Sequence, residues 1–141
     1  MKSALLIAAL VAAAVAPCHA QQPRPHEAEF RAFYANFLAA VRANNKEKIA
    51  DMIVFPVKDW SVVNKGNVQT IPIKDRAEFL AKYYTFFTTS MRAHIPKAKL
   101  DAMENEGYLL GWHDVDTESG LEFAYIAGTG YRIRSFTIGP R

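Results

Sequence analysis

Between Glu27 and Arg42 the residues Phe30, Phe33, Tyr34, Phe37, Leu38 and Val41 fall at steps of three and four, whereas in the last third of the chain apolar residues recur at steps of two. The first spacing paints a stripe along an α-helix and the second one face of a β-strand. The chain therefore holds a helical block near its start and a β block at its end. Its composition, 50% hydrophobic and 22% charged, is that of a folding domain and not of a disordered or fibrous segment.

The helical stripe has Glu27 and Glu29 at its start and Arg42 near its end, the charge order that suits a helix dipole, and Asn44-Asn45 closes it. Ile49, Met52 and Ile53 mark a short second helix, which Pro56 stops by holding Phe55 out of helical geometry. Two strands follow, Trp60 to Val63 and Val68 to Ile71, joined through Asn64-Lys65-Gly66-Asn67, where Asn64 and the Gly66-Asn67 pair tolerate positive φ. Asp75 with Glu78 forms a capping box for one further helix whose buried face runs through Phe79, Leu80, Tyr83, Phe86, Phe87 and Met91. Pro96 opens a helical turn through Leu100 and Met103. Strands are expected at Gly107 to Asp114, Leu121 to Ala127 and Tyr131 to Ile138, with turns at Asp116 to Gly120 and Gly128 to Gly130. In the last strand Tyr131 and Ile133 share a face while Phe136 and Ile138 fall on the other, so a bulge near Arg134-Ser135 is expected to restore one apolar face.

The N-terminus has the layout of a secretory signal: Lys2, an apolar run from Ala4 to Ala16, then Pro17-Cys18-His19-Ala20 before Gln21-Gln22. A run of about 13 residues spans roughly 20 Å as a helix, short of the ~30 Å hydrocarbon core, so a retained membrane anchor is disfavoured. Residues 1–20 are therefore read as a signal peptide cleaved after Ala20, residues 21–27, with Pro23 and Pro25 among polar neighbours, as an extended, flexible leader, and residues 28–139 as the domain. An acylated Cys18 is the alternative, with Pro17 a poor fit directly before it. The Ala-rich signal has a bacterial character, and the expected location is the periplasm or the medium. Cys18 is the only cysteine, so the mature chain would carry no disulfide, thiol nucleophile or cysteine-based metal site. Lys2 would leave with the signal, and the formal net charge of +3 is too small to argue for nucleic acid.

The order of helix, short helix, hairpin, long helix and three-stranded antiparallel run resembles the NTF2-like, cystatin-like α+β superfamily. The stretch from Phe37 to Ile53, through Arg42-Ala43-Asn44-Asn45-Lys46, is similar to the first two helices of its SnoaL and ketosteroid isomerase branch, and Phe79 to Phe87 to the helix after the hairpin. The resemblance covers about Glu27 to Ile138. It implies a cone, with a curved antiparallel sheet wrapped around a long helix and two helices at the N-terminus. It also implies a pocket at the cone's mouth and, in many members, a homodimer formed through the sheet. The superfamily includes isomerases, dehydratases, noncatalytic ligand binders and interaction modules. Carried over residue by residue, the isomerase's oxyanion-stabilising tyrosine falls on Phe37, and its general-base aspartate falls near Ser61, with Asp59 two residues away. Neither position holds the required group, which argues against that chemistry.

Outside the resemblance, His113-Asp114 is the most suggestive imidazole and carboxylate dyad, yet neighbours on a strand point to opposite faces. Asp114, Asp116 and Glu118 surround a turn but lack the glycine and distal glutamate of a calcium loop, and His26, His94 and His113 match no metal spacing. No metal or cofactor is expected. Trp60, Tyr84, Trp112, Tyr125 and Tyr131 are the candidates for aromatic pocket walls. Together these readings point to an exported, noncatalytic module that takes a small hydrophobic ligand in its pocket or a protein partner on its sheet. The alternatives are an isomerase- or dehydratase-type enzyme using His113 or Asp114, and a periplasmic immunity or inhibitor protein. Neither nucleic acid nor, after cleavage, a membrane is an expected partner.

Overall fold

The computed structural model describes residues 24–140; the signal layout, Cys18 and the cleavage site at Ala20 lie outside them. The aromatic stripe forms α1, Glu27–Arg42, which buries Phe30, Phe37, Ala40 and Val41. Its end explains why Asn44-Asn45 is a stop. Asn44 sits at φ 49, its N–H donates to the Val41 carbonyl at 3.0 Å, and the Asn45 N–H donates to the Ala40 carbonyl at 2.9 Å. This is a complete Schellman closure with asparagine in the left-handed place. Asn45 then caps α2, Lys46–Asp51, by accepting from the Lys48 N–H at 3.0 Å.

Strands β1, Val57–Asn64, and β2, Asn67–Ile73, form a hairpin whose loop residues Lys65 and Gly66 both have positive φ, 51 and 81. The left-handed pair is thus Lys65-Gly66: Gly66 is one of the residues expected to take positive φ, whereas Asn64 and Asn67, also expected to, are opposed strand residues.

The long helix expected after Asp75 is three short ones: α3, Arg76–Ala81, α4, Tyr83–Phe86, and α5, Thr89–His94. The cause is local. In the Thr88-Thr89-Ser90 run, Thr88 leaves helical geometry at ψ 162 and its hydroxyl caps α5 by accepting from the Met91 N–H at 3.1 Å. Hydroxyl side chains compete with the backbone in this way. The break lets Phe86 and Phe87, which a continuous helix would set about 100° apart, both reach the core.

A 3-10 turn at Ile95–Lys97 leads to β3, Lys99–Ala102, so Leu100 lies in a strand where a helical turn was expected. Then come β4, Tyr108–His113, β5, Thr117–Ile126, and β6, Gly130–Pro140. The β4–β5 turn is earlier than Asp116 to Gly120, because Thr117 already accepts from the Asp114 N–H at 2.9 Å. The six-stranded sheet has the order β2-β1-β6-β5-β4-β3. It is mixed and not wholly antiparallel, because β1 meets β6 in parallel, with Trp60 opposite Phe136.

The bulge lies where face parity demands it. Glu122 pairs with Ser135 and Phe123 with Ile133, leaving Arg134 without a partner. Tyr131, Ile133 and Phe136 are consequently all buried. They join Phe30, Phe37, Trp60, Leu110, Leu121 and Phe123 in one hydrophobic layer between helices and sheet. Trp60 closes the layer at β1, its indole N–H donating to the Phe86 carbonyl at 3.0 Å. The α+β class is the one the sequence implied, while the number of helices and of strands is larger than expected.

Lys65 holds a left-handed conformation without the side chain that eases it. Replacing it by asparagine is expected to raise the unfolding free energy by about 0.5–1 kcal/mol, read as a higher urea midpoint at unchanged slope; an equal or lower midpoint would show that the turn carries no strain.

Candidate functional site

The inner layer has two different ends. At one, aromatic side chains close the space. Phe30 stacks on Tyr108 with ring centroids 3.5 Å apart and meets the edge of Tyr131 at 4.9 Å. Tyr131 donates its phenol to the Glu106 carbonyl at 2.9 Å. The last leader residues finish this end: Arg24 lies over the Tyr108 ring at 4.9 Å and donates to the Met103 carbonyl, and His26 stacks on Tyr125 at 3.8 Å. Residues 24–26, part of the segment expected to be a flexible leader, are therefore held against the domain.

At the other end the layer stays open. A cavity of about 370 Å³ lies between the ends of β1, β4, β5 and β6 and the segment from Thr85 to Met91. Its apolar wall is built by Val62, Phe86, Met91, Trp112, Phe136 and Ile138. Phe136 and Trp112 stack there with centroids 5.7 Å apart. The hydroxyl residues Ser61, Thr85, Thr88, Ser90, Thr117 and Ser119 form the polar part. Asp114 is the one charged side chain in the lining.

Strand alternation explains these positions. On β5, Ser119 and Thr117 continue the inward face of Phe123 and Leu121, and Ser119 pairs with Trp112 on one side and Ile138 on the other. Where the inner face changes from Leu121 to Ser119, the packed core gives way to the cavity. On β4 the inward set is Tyr108, Leu110 and Trp112, with Asp114 next at the rim. His113 is exposed on the opposite face, across from Glu118, so the dyad is split as alternation dictates.

Of the five aromatic residues expected at the pocket, Trp112 alone is in its lining. Trp60 is fully buried in the core, one residue behind the wall through its bond to Phe86. Tyr84 is 65% exposed on the outer side of α4, beneath the Arg92 guanidinium. Tyr125 and Tyr131 are at the closed end, 5.3 Å apart by centroid. For Trp60, Tyr125 and Tyr131 the cause is shared, since residue type predicts burial but not which end of a layer a side chain reaches; Tyr84 is turned outward by its place on α4. The signal that could have found the cavity is the small polar pair Thr117 and Ser119 at inward positions of a strand.

The positions carried over from the isomerase branch are also separated. Phe37 is fully buried, Ser61 is in the cavity lining, and Asp59 is exposed beside Lys58, Glu122 and Arg134 on another surface. Among the described residues, no group of three or more His, Cys, Asp and Glu side chains converges as a metal would require, and no helix is long and apolar enough to cross a membrane.

No protein-family model matches the chain, and no curated protein is similar to it. Among solved structures the chain is similar to a designed NTF2-like protein, at 14% identity and a TM-score of 0.43, over 82% of this chain and 100% of that one.

The Tyr131 phenol is pushed up to about 12, first by burial and next by the neighbouring Tyr108. Its folded value is above the unfolded value of about 10, so the neutral phenol's share of stability is complete below pH ~10 and is lost as pH rises through ~12. Tyrosine absorbance titration of the folded chain should show a last component near pH 12 that Tyr131→Phe removes; a Tyr131→Phe titration identical to wild type would contradict this.

Proposed function

We propose that the chain is an exported, noncatalytic module of NTF2-like type that holds a small, mainly apolar ligand in the cavity beside Trp112. The observation that carries this reading is the chemistry of the lining: an apolar wall, a set of hydroxyls, and a single titratable side chain, Asp114. Cavities of roughly 300–1,000 Å³ with an apolar wall and a few directed polar groups are the usual form of small-molecule sites. An isomerase or dehydratase needs a base and a proton donor within reach of one substrate. No tyrosine is in the lining of the cavity, and His113 is on the outer face. Export rests on Lys2, the Ala4 to Ala16 run and the Ala20 junction.

A second reading is favoured by one further observation. Val63, itself in the cavity lining, is 59% exposed and pairs with Val68, 44% exposed, near the hairpin tip, while Val115, 81% exposed, follows the lining residue Asp114 on the β4–β5 turn. Exposed aliphatic side chains around a cavity mouth suit a protein seated over it, whether a second copy or an enzyme to be inhibited. Sedimentation at rising concentration tests the copy; a monomer at all concentrations would remove the dimer.

Native against denaturing mass spectrometry of the chain purified without detergent tests the ligand. A small mass held in the native state and released on denaturation is expected. Ser119→Phe, which places a ring inside the cavity, should return the bare mass with the circular dichroism spectrum unchanged. Equal retention by wild type and Ser119→Phe would place the ligand elsewhere and overturn the assignment.

A further inference from the structure

We propose that the ligand of this cavity carries a positively charged nitrogen, an ammonium group on a small apolar body, with Asp114 as its counter-ion. The inference rests on the reading of the cavity as a ligand site and names the chemical class that site selects.

The charge at the mouth is one-sided. Asp114 lines the cavity, and no Lys, Arg or His does. Among the described residues Asp114 takes part in no ion pair. One of its oxygens accepts the Val115 N–H at 2.9 Å, which steadies the carboxylate and leaves the rest of its acceptor capacity free. The chain as a whole is basic, with formal net charge +3, so an uncompensated carboxylate at the rim of its apolar cavity runs against the general charge.

Nearby basic groups are turned to other partners. Arg92, on the helix that forms one wall, donates to the Phe87 carbonyl at 2.6 Å and lies over the Tyr83 and Tyr84 rings. The His94 ring stacks on Trp112 at 6.5 Å, with Nδ1 2.8 Å from the Ser90 carbonyl. An anionic headgroup at this mouth would meet Asp114 and no compensating cation, which costs binding at any local dielectric.

The remaining groups suit a cation equally. An ammonium donates three hydrogen bonds and accepts none. Beyond Asp114, Thr117 is placed at the rim by the bond between its carbonyl and the Asp114 N–H, and Ser119 is next inward on the same strand face. The stacked pair of Trp112 and Phe136 offers an aromatic surface for the apolar body.

Three probes that share a phenyl ring and differ in the terminal group test this: phenethylamine, phenethyl alcohol and phenylacetate, titrated calorimetrically into the full chain. Phenethylamine is expected to bind roughly tenfold more tightly than the alcohol, as a charge-assisted bond implies, with phenylacetate weakest. Asp114→Asn keeps the acceptor for the Val115 N–H and removes the charge, and should make amine and alcohol bind alike. If the alcohol binds as well as the amine in wild type, or phenylacetate binds best, the ammonium assignment falls while the cavity stays a ligand site. If the amine preference survives Asp114→Asn, the counter-ion is another group and the assignment to Asp114 falls. If none of the three binds to either protein and Ser119→Phe has no effect on retained mass, the ligand site itself falls and takes the ammonium with it.

Discussion

One extra residue in β6, Arg134, organises this structure. Were Arg134 paired in regular register, Tyr131 and Ile133 would share a face opposite to Phe136, and the last strand could not bury all three. Because Arg134 bulges out, the register against β5 shifts between Glu122 and Phe123, and the strand presents a single apolar face from end to end. Phe136 then stands opposite Trp60, which allows the hairpin of β1 and β2 to join the C-terminal strands through a parallel contact. The same strand also anchors the segment after α2: the Ile133 N–H donates to the Met52 carbonyl at 2.7 Å, and the Val54 N–H donates to the Ile133 carbonyl at 3.1 Å. Chain pieces far apart in sequence thus meet on one strand, and the bulge decides which faces they share.

The open and closed ends follow from how the helices cover that face. Helix α1 lays Phe30 against Tyr108 and Tyr131 and fills its end with rings. The other end is covered by short segments, because Thr88 caps a new helix where a continuous one was expected. Phe86, Phe87 and Met91 reach inward from those segments, but Thr117 and Ser119 meet them from the sheet in place of larger side chains. The cavity is therefore the result of small hydroxyl residues facing a broken helix, and its polarity is set by the same residues that leave it unfilled. Asp114 adds the single charge because β4 ends there.

The positions carried over from the isomerase branch do not come together in the structure. Phe37 offers no hydroxyl, and Asp59 is on another surface. The tyrosine with the strongest perturbation, Tyr131, uses its proton to hold the Glu106 carbonyl at the closed end. A phenol that stays neutral throughout the physiological range, bonded to backbone and remote from the cavity, has a structural task.

What the sequence determined by itself is local. The stripe of α1, the Asn44-Asn45 stop, the Asp75 cap and the bulge in β6 are each decided by neighbours a few residues apart, through backbone geometry and side-chain parity. Even the split of His113 from Asp114 is a matter of alternation. The breaks in the helix after Lys82 and at Thr88, the strand at Lys99–Ala102 and the membership of the cavity were decided only in three dimensions. Lys99–Ala102 is a strand because β4 offers it an edge, with Leu100 opposite Leu110. Trp60, Trp112 and Tyr131 are equally aromatic and equally inward, yet one is core, one is cavity wall and one seals the far end. Burial depends on what a residue is; the end of the layer it reaches depends on which distant segment packs above it, and that is settled when the helices and the sheet meet.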